Sequence, residues 1–273
     1  MMRRDSPGVI LFGAPLDLTS SFRSGARFGP QQIREAGEGL EDYSFSLGRN
    51  IREMKLSDQG DLELPPENLE KALARIEESA TAALAKGMPC VALGGEHLIT
   101  LPLVKAALAK YPDLLLLQVD AHADLAESYG DEPLTHATVI RRIVELLGPG
   151  RAVQVGIRSA TAEEVAFARE QTHLFPGPPA EVGQILTLLR GRPVYLTIDM
   201  DVVDPAFAPG VSTPEPGGWS SNDLFQVLSQ LADLEVVGMD LVEVCPPYDP
   251  AGVTATLAAK VLREALLTLF YPD

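Results

Sequence analysis

Three short segments place acidic and imidazole side chains at spacings that suit a bound cation. The first, Asp120-Ala121-His122-Ala123-Asp124, follows directly on the run Leu114-Leu115-Leu116-Leu117-Gln118-Val119. In an extended chain residues two apart point to the same side, so Asp120, His122 and Asp124 are expected to converge while the alanines face away. The second, Asp199-Met200-Asp201, closes Tyr195-Leu196-Thr197-Ile198. Two carboxylates sharing one face would raise one pKa strongly unless a cation neutralised them, and Met200 between them should look into the core. Asp204-Pro205, just beyond, reads as a turn starter. The third, Gly94-Gly95-Glu96-His97, follows Cys90-Val91-Ala92-Leu93. Paired glycines permit a tight strand-to-helix turn with close backbone approach, which places His97 at the entrance of the helix carrying Leu101 to Leu108. An Asp-x-His by itself is more often a solvated loop, and a histidine at a helix start more often a cap or a packing residue. The third aligned carboxylate and the apolar strand before it favour a site.

Together these segments offer two imidazoles and four carboxylates, with no thiolate at a ligand-like spacing. Hard oxygen donors with a few imidazoles suit Mn²⁺ better than structural Zn²⁺, which usually recruits cysteines. One divalent cation would leave two of the four carboxylate charges of Asp120, Asp124, Asp199 and Asp201 buried without compensation, whereas two cations bring the set to neutrality. Two ions are therefore expected. Of the remaining histidines, His173 suggests only surface or packing use. Cys245 has no histidine near it in sequence and reads as packing.

These residues need strands to carry them. Short β-rich runs alternate with longer amphipathic stretches, the pattern of an α/β chain. The reading places strands near 8–12, 53–57, 90–93, 114–120, 152–157, 171–175, 193–199 and 236–242. Most are too continuously apolar to have a wet face, so they belong in a parallel sheet covered by helices on both sides. Helices are expected near 29–38, 66–86, 98–110, 134–147, 161–170, 179–190, 220–232 and 253–270. Phe175-Pro176-Gly177-Pro178-Pro179 is short enough to be a turn, and no linker or repeat divides the chain, so one domain over 1–273 is expected. In such sheets chemistry sits beyond the carboxyl ends of the strands, where all three segments fall.

Composition narrows the partners. With 22 basic and 38 acidic residues the formal charge is −16, which repels phosphate and attracts cations. No basic stripe, Gly-x-x-x-x-Gly-Lys-Ser/Thr loop or strand-borne Gly-x-Gly-x-x-Gly supports a nucleic-acid or nucleotide role. No run approaches the length of a membrane span. Met1 to Arg4 followed by Val9-Ile10-Leu11-Phe12 faintly resembles a signal peptide, but Gly13 and Pro15 cut the run short and a buried first strand is the better reading. Two distant cysteines, Cys90 and Cys245, exclude a disulfide framework of the secreted kind, so the chain reads as cytoplasmic.

The three segments, extended to Leu196-Thr197-Ile198-Asp199-Met200-Asp201-Val202-Val203-Asp204-Pro205-Ala206-Phe207-Ala208-Pro209-Gly210, resemble the signature motifs of the ureohydrolases, the arginase and agmatinase family, in order and spacing. The likeness continues in Gly25 to Pro30, Ser212 to Gly218 and Val242 to Asp249, and in detail it is nearer to agmatinases than to arginases. It implies a three-layer α/β/α domain with an eight-stranded parallel sheet. It further implies two Mn²⁺, one held by His97, Asp120, Asp124 and Asp199, the other by Asp120, His122, Asp199 and Asp201. Such a pair, about 3.5–4 Å apart, lowers the pKa of a shared water, the nucleophile for a guanidinium carbon. Asp124 would pass a proton to the leaving amine. Glu243 matches the guanidinium-binding carboxylate, whose alternative is a buried ion pair with an arginine. His136, in Leu134-Thr135-His136-Ala137, matches a mobile proton-shuttle histidine. Trimers or hexamers are common in the family, so a homo-oligomer is expected.

The expected substrate is a small cationic guanidino compound, agmatine first. Gly156-Ile157-Arg158 is followed by Ser159-Ala160-Thr161 where arginases carry an acidic residue for the α-amino group. The acidic loop Glu127-Ser128-Tyr129-Gly130-Asp131-Glu132 offers no Lys or Arg to an α-carboxylate, although acidic residues there could equally cap a helix. Aminopropylagmatine, guanidinobutyrate and arginine are the alternatives. Beyond them stand a zinc deacetylase of related fold, holding one metal, and a non-catalytic polyamine-binding protein, which would have no use for a full binuclear ligand set.

Overall fold

Apolar runs bounded by turn residues and helices with one apolar stripe must stack in layers to bury both. The computed structural model, which describes residues 8–178 and 182–271, shows those layers. Ten strands and eight α-helices follow in chain order among the described residues: β1 (Val9–Ala14), α1 (Gly29–Glu38), β2 (Tyr43–Ser44), β3 (Arg49–Asn50), β4 (Leu56–Asp61), α2 (Leu69–Ala85), β5 (Cys90–Gly94), α3 (Thr100–Lys110), β6 (Leu115–Val119), α4 (Val139–Leu147), β7 (Ala152–Val155), α5 (Ala162–Gln171), β8 (His173–Phe175), α6 (Val182–Leu189), β9 (Pro193–Asp199), α7 (Ser221–Gln230), β10 (Glu235–Val242) and α8 (Val253–Leu269). Eight strands form one parallel sheet in the order β4-β1-β5-β10-β9-β6-β7-β8. Ile33 of α1, Ile185 of α6, Leu224 of α7 and Ala258 of α8 pack on one face against Val91, Leu117 and Leu196. Ile76 of α2, Val104 of α3, Ile140 of α4 and Ala168 of α5 pack on the other, against Phe12, Ala92 and Tyr195. This is the three-layer α/β/α architecture expected.

Local signals explain the element ends. Helix α2 starts where the Asn68 side chain accepts from the Lys71 N–H at 2.9 Å, and its buried stripe is Ala72, Ile76, Ala80, Ala83 and Leu84. Capping boxes start α5 (Thr161 with Glu164) and α7 (Ser220 with Asp223). Three expectations shift. The strand expected at 53–57 runs over Leu56–Asp61 at the open sheet edge with every residue exposed, because an edge strand needs no apolar pattern. The helix expected from 134 begins at Val139, after a one-turn 3₁₀ segment at His136–Thr138 closed by a Thr135/Thr138 box. The antiparallel pair of β2 with β3 was not expected. Pro179 and the first residues of the helix expected over 179–190 lie outside the described residues, as do Met1 to Arg4. Among the described residues no helix is long and apolar enough to cross a membrane.

Candidate active site

Neighbouring strands β5, β9 and β6, with β10 between β5 and β9, end on the same side of the sheet and deliver the chemistry there. After β5 the chain turns at Gly94-Gly95, where the Gly95 N–H donates to the Ala14 carbonyl at 3.0 Å and any Cβ would run into the Leu16 carbonyl. Only glycine fits, as the paired-glycine reading required. His97 follows in a 3₁₀ turn and is buried. After β9, Asp199 accepts from the Asp201 N–H at 2.9 Å, and Met200 points into the core as expected. After β6 the geometry differs from expectation in its cause: the strand stops at Val119, and the segment that follows is not extended. His122 pairs with Ser159 in an isolated bridge and Asp124 adopts a left-handed backbone with φ 52°. The three side chains do converge, through a turn rather than by strand alternation.

His97 Nδ1 stands 3.0 Å from Asp124 Oδ2, 3.1 Å from Asp120 Oδ2 and 3.4 Å from Asp199 Oδ2. His122 Nδ1 lies 2.8 Å from Asp201 Oδ2 and 3.9 Å from Asp120 Oδ1. Two groups have ligand atoms close enough together for one ion each, namely His97 with Asp120 and Asp124, and Asp120 with His122 and Asp201. Asp120 is common to both. Asp199 touches the first group without completing it.

The polar atoms around His97 show whether a cation suits this pocket. Thr197 donates its only hydroxyl hydrogen to Asp240 Oδ1 at 2.6 Å, so it accepts from His97 Nε2 at 2.9 Å. Tyr195 holds the other Asp240 oxygen at 2.9 Å. The hydrogen of a neutral His97 is thereby placed on Nε2, and Nδ1 is a buried lone pair without a hydrogen-bond partner, aimed at three carboxylates. Lone pair against carboxylate is repulsive, and only a proton or a metal cation relieves it. On the far side, Thr172, Gln154 and Gln118 form a buried chain ending in Gln118 Nε2 on Asp120 Oδ2 at 2.7 Å. The donor set and its buried supports fit divalent cations.

Protonation follows from the same crowding. Burial, then the charges of Asp201 and Asp124, push Asp120 up to about 6. Burial together with Asp201 and Asp120 raises Asp199 well above the carboxylate range. Burial alone would lower His97 and His122; the surrounding carboxylates outweigh it, raising His97 well above its usual value and His122 to about 10. Burial would also raise Asp201, but His122 holds it down to about 2.

A cavity of about 170 Å³ opens on this cluster, and its lining includes Ser21, Tyr129, His136, Thr213 and Glu243. Glu243 leaves β10 with φ 67°, a conformation that stores strain in a residue with a Cβ. Its Oε1 accepts from the His97 N–H at 2.7 Å, while Oε2 is buried with no partner, and burial pushes the carboxyl up to about 8. Among the described residues no arginine pairs with it, against the ion-pair alternative. His136 sits across the cavity, its ring edge-on to Tyr129 with centroids 5.6 Å apart, its pKa lowered by burial. It belongs to neither ligand group. Cys245 is buried and its thiol pushed up to about 12, consistent with packing. His173 begins β8, half-buried. Sequence reasoning missed Thr19 and Ser21, which approach His136, and Glu96, which ties their loop down. Thr19-Ser20-Ser21 has only the look of a polar loop.

A profile of the Arginase family matches residues 7–268. The chain is 46% identical to an agmatinase of Bacillus anthracis over 95% of this chain and 91% of that relative. To a guanidinobutyrase of Pseudomonas aeruginosa it is 37% identical over 97% of this chain and 87% of that one. The crystal structure of the agmatine ureohydrolase of Thermoplasma volcanium superposes with a TM-score of 0.88 at 35% identity, covering 97% of this chain and 91% of the other.

Proposed function

The chain belongs to the Arginase family and is a ureohydrolase, and from that premise we propose that it hydrolyses agmatine to urea and putrescine with two Mn²⁺. The observation that carries this reading is the pairing of two unmet demands in one cavity: the bare Nδ1 of His97 calls for a cation, and the bare Oε2 of Glu243 calls for an N–H donor. His97, Asp120, Asp124 and Asp199 would hold one ion, and Asp120, His122, Asp199 and Asp201 the other. The ions would supply a water of lowered pKa as nucleophile and polarise the guanidinium carbon. Glu243 accepts guanidinium N–H groups, since a planar cation with parallel donors matches a carboxylate. Asp124 accepts the proton released at the nucleophile and delivers it to the departing amine. His136 carries protons between the cavity and solvent. One domain over the whole chain, a cytoplasmic location and a trimer or hexamer complete the proposal. Urea release from a panel of guanidino compounds, with Mn²⁺ added and withdrawn, tests it; no release from any of them would end it.

Protons and metal compete for the cluster. Without Mn²⁺ the raised pKa values of Asp120, Asp199, Glu243, His97 and His122 mean that the folded chain holds protons more tightly than the unfolded one. That contribution is complete below the unfolded values, about 4 for the carboxyls and 6.5 for the histidines, and is lost as pH rises through the folded ones. Asp201, lowered to about 2, acts oppositely but only in acid. The Tm of chelated protein should therefore fall between about pH 6 and 9 while Mn²⁺ binds more tightly and restores a growing increment. A scanning-calorimetry series showing an increment independent of pH would contradict this. Activity should rise toward alkaline pH for the same reason.

His136→Ala should lower kcat by about 10²–10⁴, the range for a general acid or base, and leave the Mn²⁺ content intact. Loss of metal in this variant would make His136 a ligand.

A further inference from the structure

Glu96 is fully buried, and its carboxylate accepts hydrogen bonds from the loop after β1. It accepts from the backbone N–H of Leu18 at 3.3 Å, from Thr19 N–H at 2.9 Å, from the Thr19 hydroxyl at 2.9 Å and from the Ser20 hydroxyl at 3.4 Å. A threonine hydroxyl has one hydrogen, so once it is committed to Glu96 the Thr19 oxygen can only accept. It accepts from the backbone N–H of His136 at 3.0 Å and stands 3.4 Å from His136 Nδ1. In a neutral imidazole the hydrogen then belongs on Nδ1. That leaves the Nε2 lone pair to accept from the Ser21 hydroxyl, 3.1 Å away in the cavity wall. The same carboxylate-to-threonine-to-imidazole chain stands across the cavity in Asp240, Thr197 and His97. Two such chains fix opposite nitrogens on the two rings.

We propose that Glu96 and Thr19 are positioning residues that hold His136 in the tautomer whose basic nitrogen, Nε2, faces the cavity. The inference rests on the reading of His136 as a proton carrier. During turnover Nε2 takes up a proton to form imidazolium and returns it, while Nδ1 keeps its hydrogen on Thr19 throughout. Losing the Thr19 hydroxyl removes this acceptor and weakens the hold on the tautomer and on the ring's orientation.

Thr19→Val and Thr19→Ser test this together, and both should retain the wild-type Mn²⁺ content. With Mn²⁺ and agmatine, Thr19→Val should lose about 10-fold or more in kcat with KM within about 2-fold, and Thr19→Ser should recover most of the loss. Full-length protein labelled with ¹⁵N at histidine and loaded with diamagnetic Zn²⁺ reports the tautomer without turnover. The His136 signal, identified by its absence in His136→Asn, should show hydrogen on Nδ1 in wild type and Thr19→Ser, and redistribute toward Nε2 in Thr19→Val. An unchanged tautomer in Thr19→Val, or a kcat loss that serine does not rescue, overturns the proposal. If the wild type releases urea from no guanidino compound, the proposed function fails while the ¹⁵N measurement still decides this point.

Discussion

Asp120→Ala is expected to abolish urea release and to leave both cation positions empty or nearly so. Asp120 belongs to both close-set ligand groups, with Oδ2 3.1 Å from His97 Nδ1 and Oδ1 3.9 Å from His122 Nδ1. Its removal takes a ligand from each ion at once. If metal assistance supplies the several kcal/mol usual for such centres, the loss in kcat is at least about 10⁴-fold. Unfolding would not explain the result, because the variant relieves repulsion in a crowded buried cluster; in chelator its Tm should match or exceed that of the wild type. Asp199→Ala should behave similarly, whereas His97→Ala, which touches one group only, should keep the ion on Asp120, His122 and Asp201. Elemental analysis of dialysed protein alongside urea assays separates these cases. A fully active wild type with one tightly held ion, or an Asp120→Ala variant that keeps two, would overturn the binuclear reading.

Agmatine should exceed arginine by about 10² or more in kcat/KM, since a desolvated, unpaired carboxylate costs several kcal/mol. Among the described residues, those lining the cavity include no lysine or arginine. Arg158, after β7, spends its guanidinium on the carbonyls of Asp201, Val202 and Glu215. Glu164 is held in place at the start of α5, accepting from Leu125 N–H at 2.9 Å and Thr161 N–H at 2.8 Å. The cation nearest in sequence to the cavity wall is Arg23, which lies against the rings of Phe22 and Tyr248 and donates to the Pro209 carbonyl at 3.4 Å. Agmatine, aminopropylagmatine, 4-guanidinobutyrate and arginine compared at one Mn²⁺ loading decide the matter. Arginine equal to the amines would refute the selectivity argument, and a preference for guanidinobutyrate would point to Arg23 swinging to the mouth.

Buried strands were legible because they are apolar throughout: β5, β6 and β9 fall within a residue or two of the expected positions. Edge strand β4 was misplaced because Leu-Ser-Asp-Gln-Gly-Asp carries no burial pattern to read. The ligand set was legible for a different reason: carboxylates repel, and several at successive strand ends imply a cation. Thr19 and Glu96 were not, since their role depends on a contact spanning 77 residues, which no local spacing encodes. The left-handed backbone at Asp124 and Glu243 was equally hidden, because neither residue type announces it.

The order of strands in the sheet also governs how such a site can diversify. The carboxylate cluster is built on the ends of β5, β6 and β9, whereas the wall opposite it comes from the segments after β1 and the Tyr129 turn. Cluster and wall are separate lengths of chain resting on one rigid frame. Loop insertions or exchanges around Gly130 can reshape what enters while the hydrolytic apparatus, with Thr19 and Ser21 beside His136, stays in place. A library confined to that turn is the economical route to new amidino substrates on this scaffold.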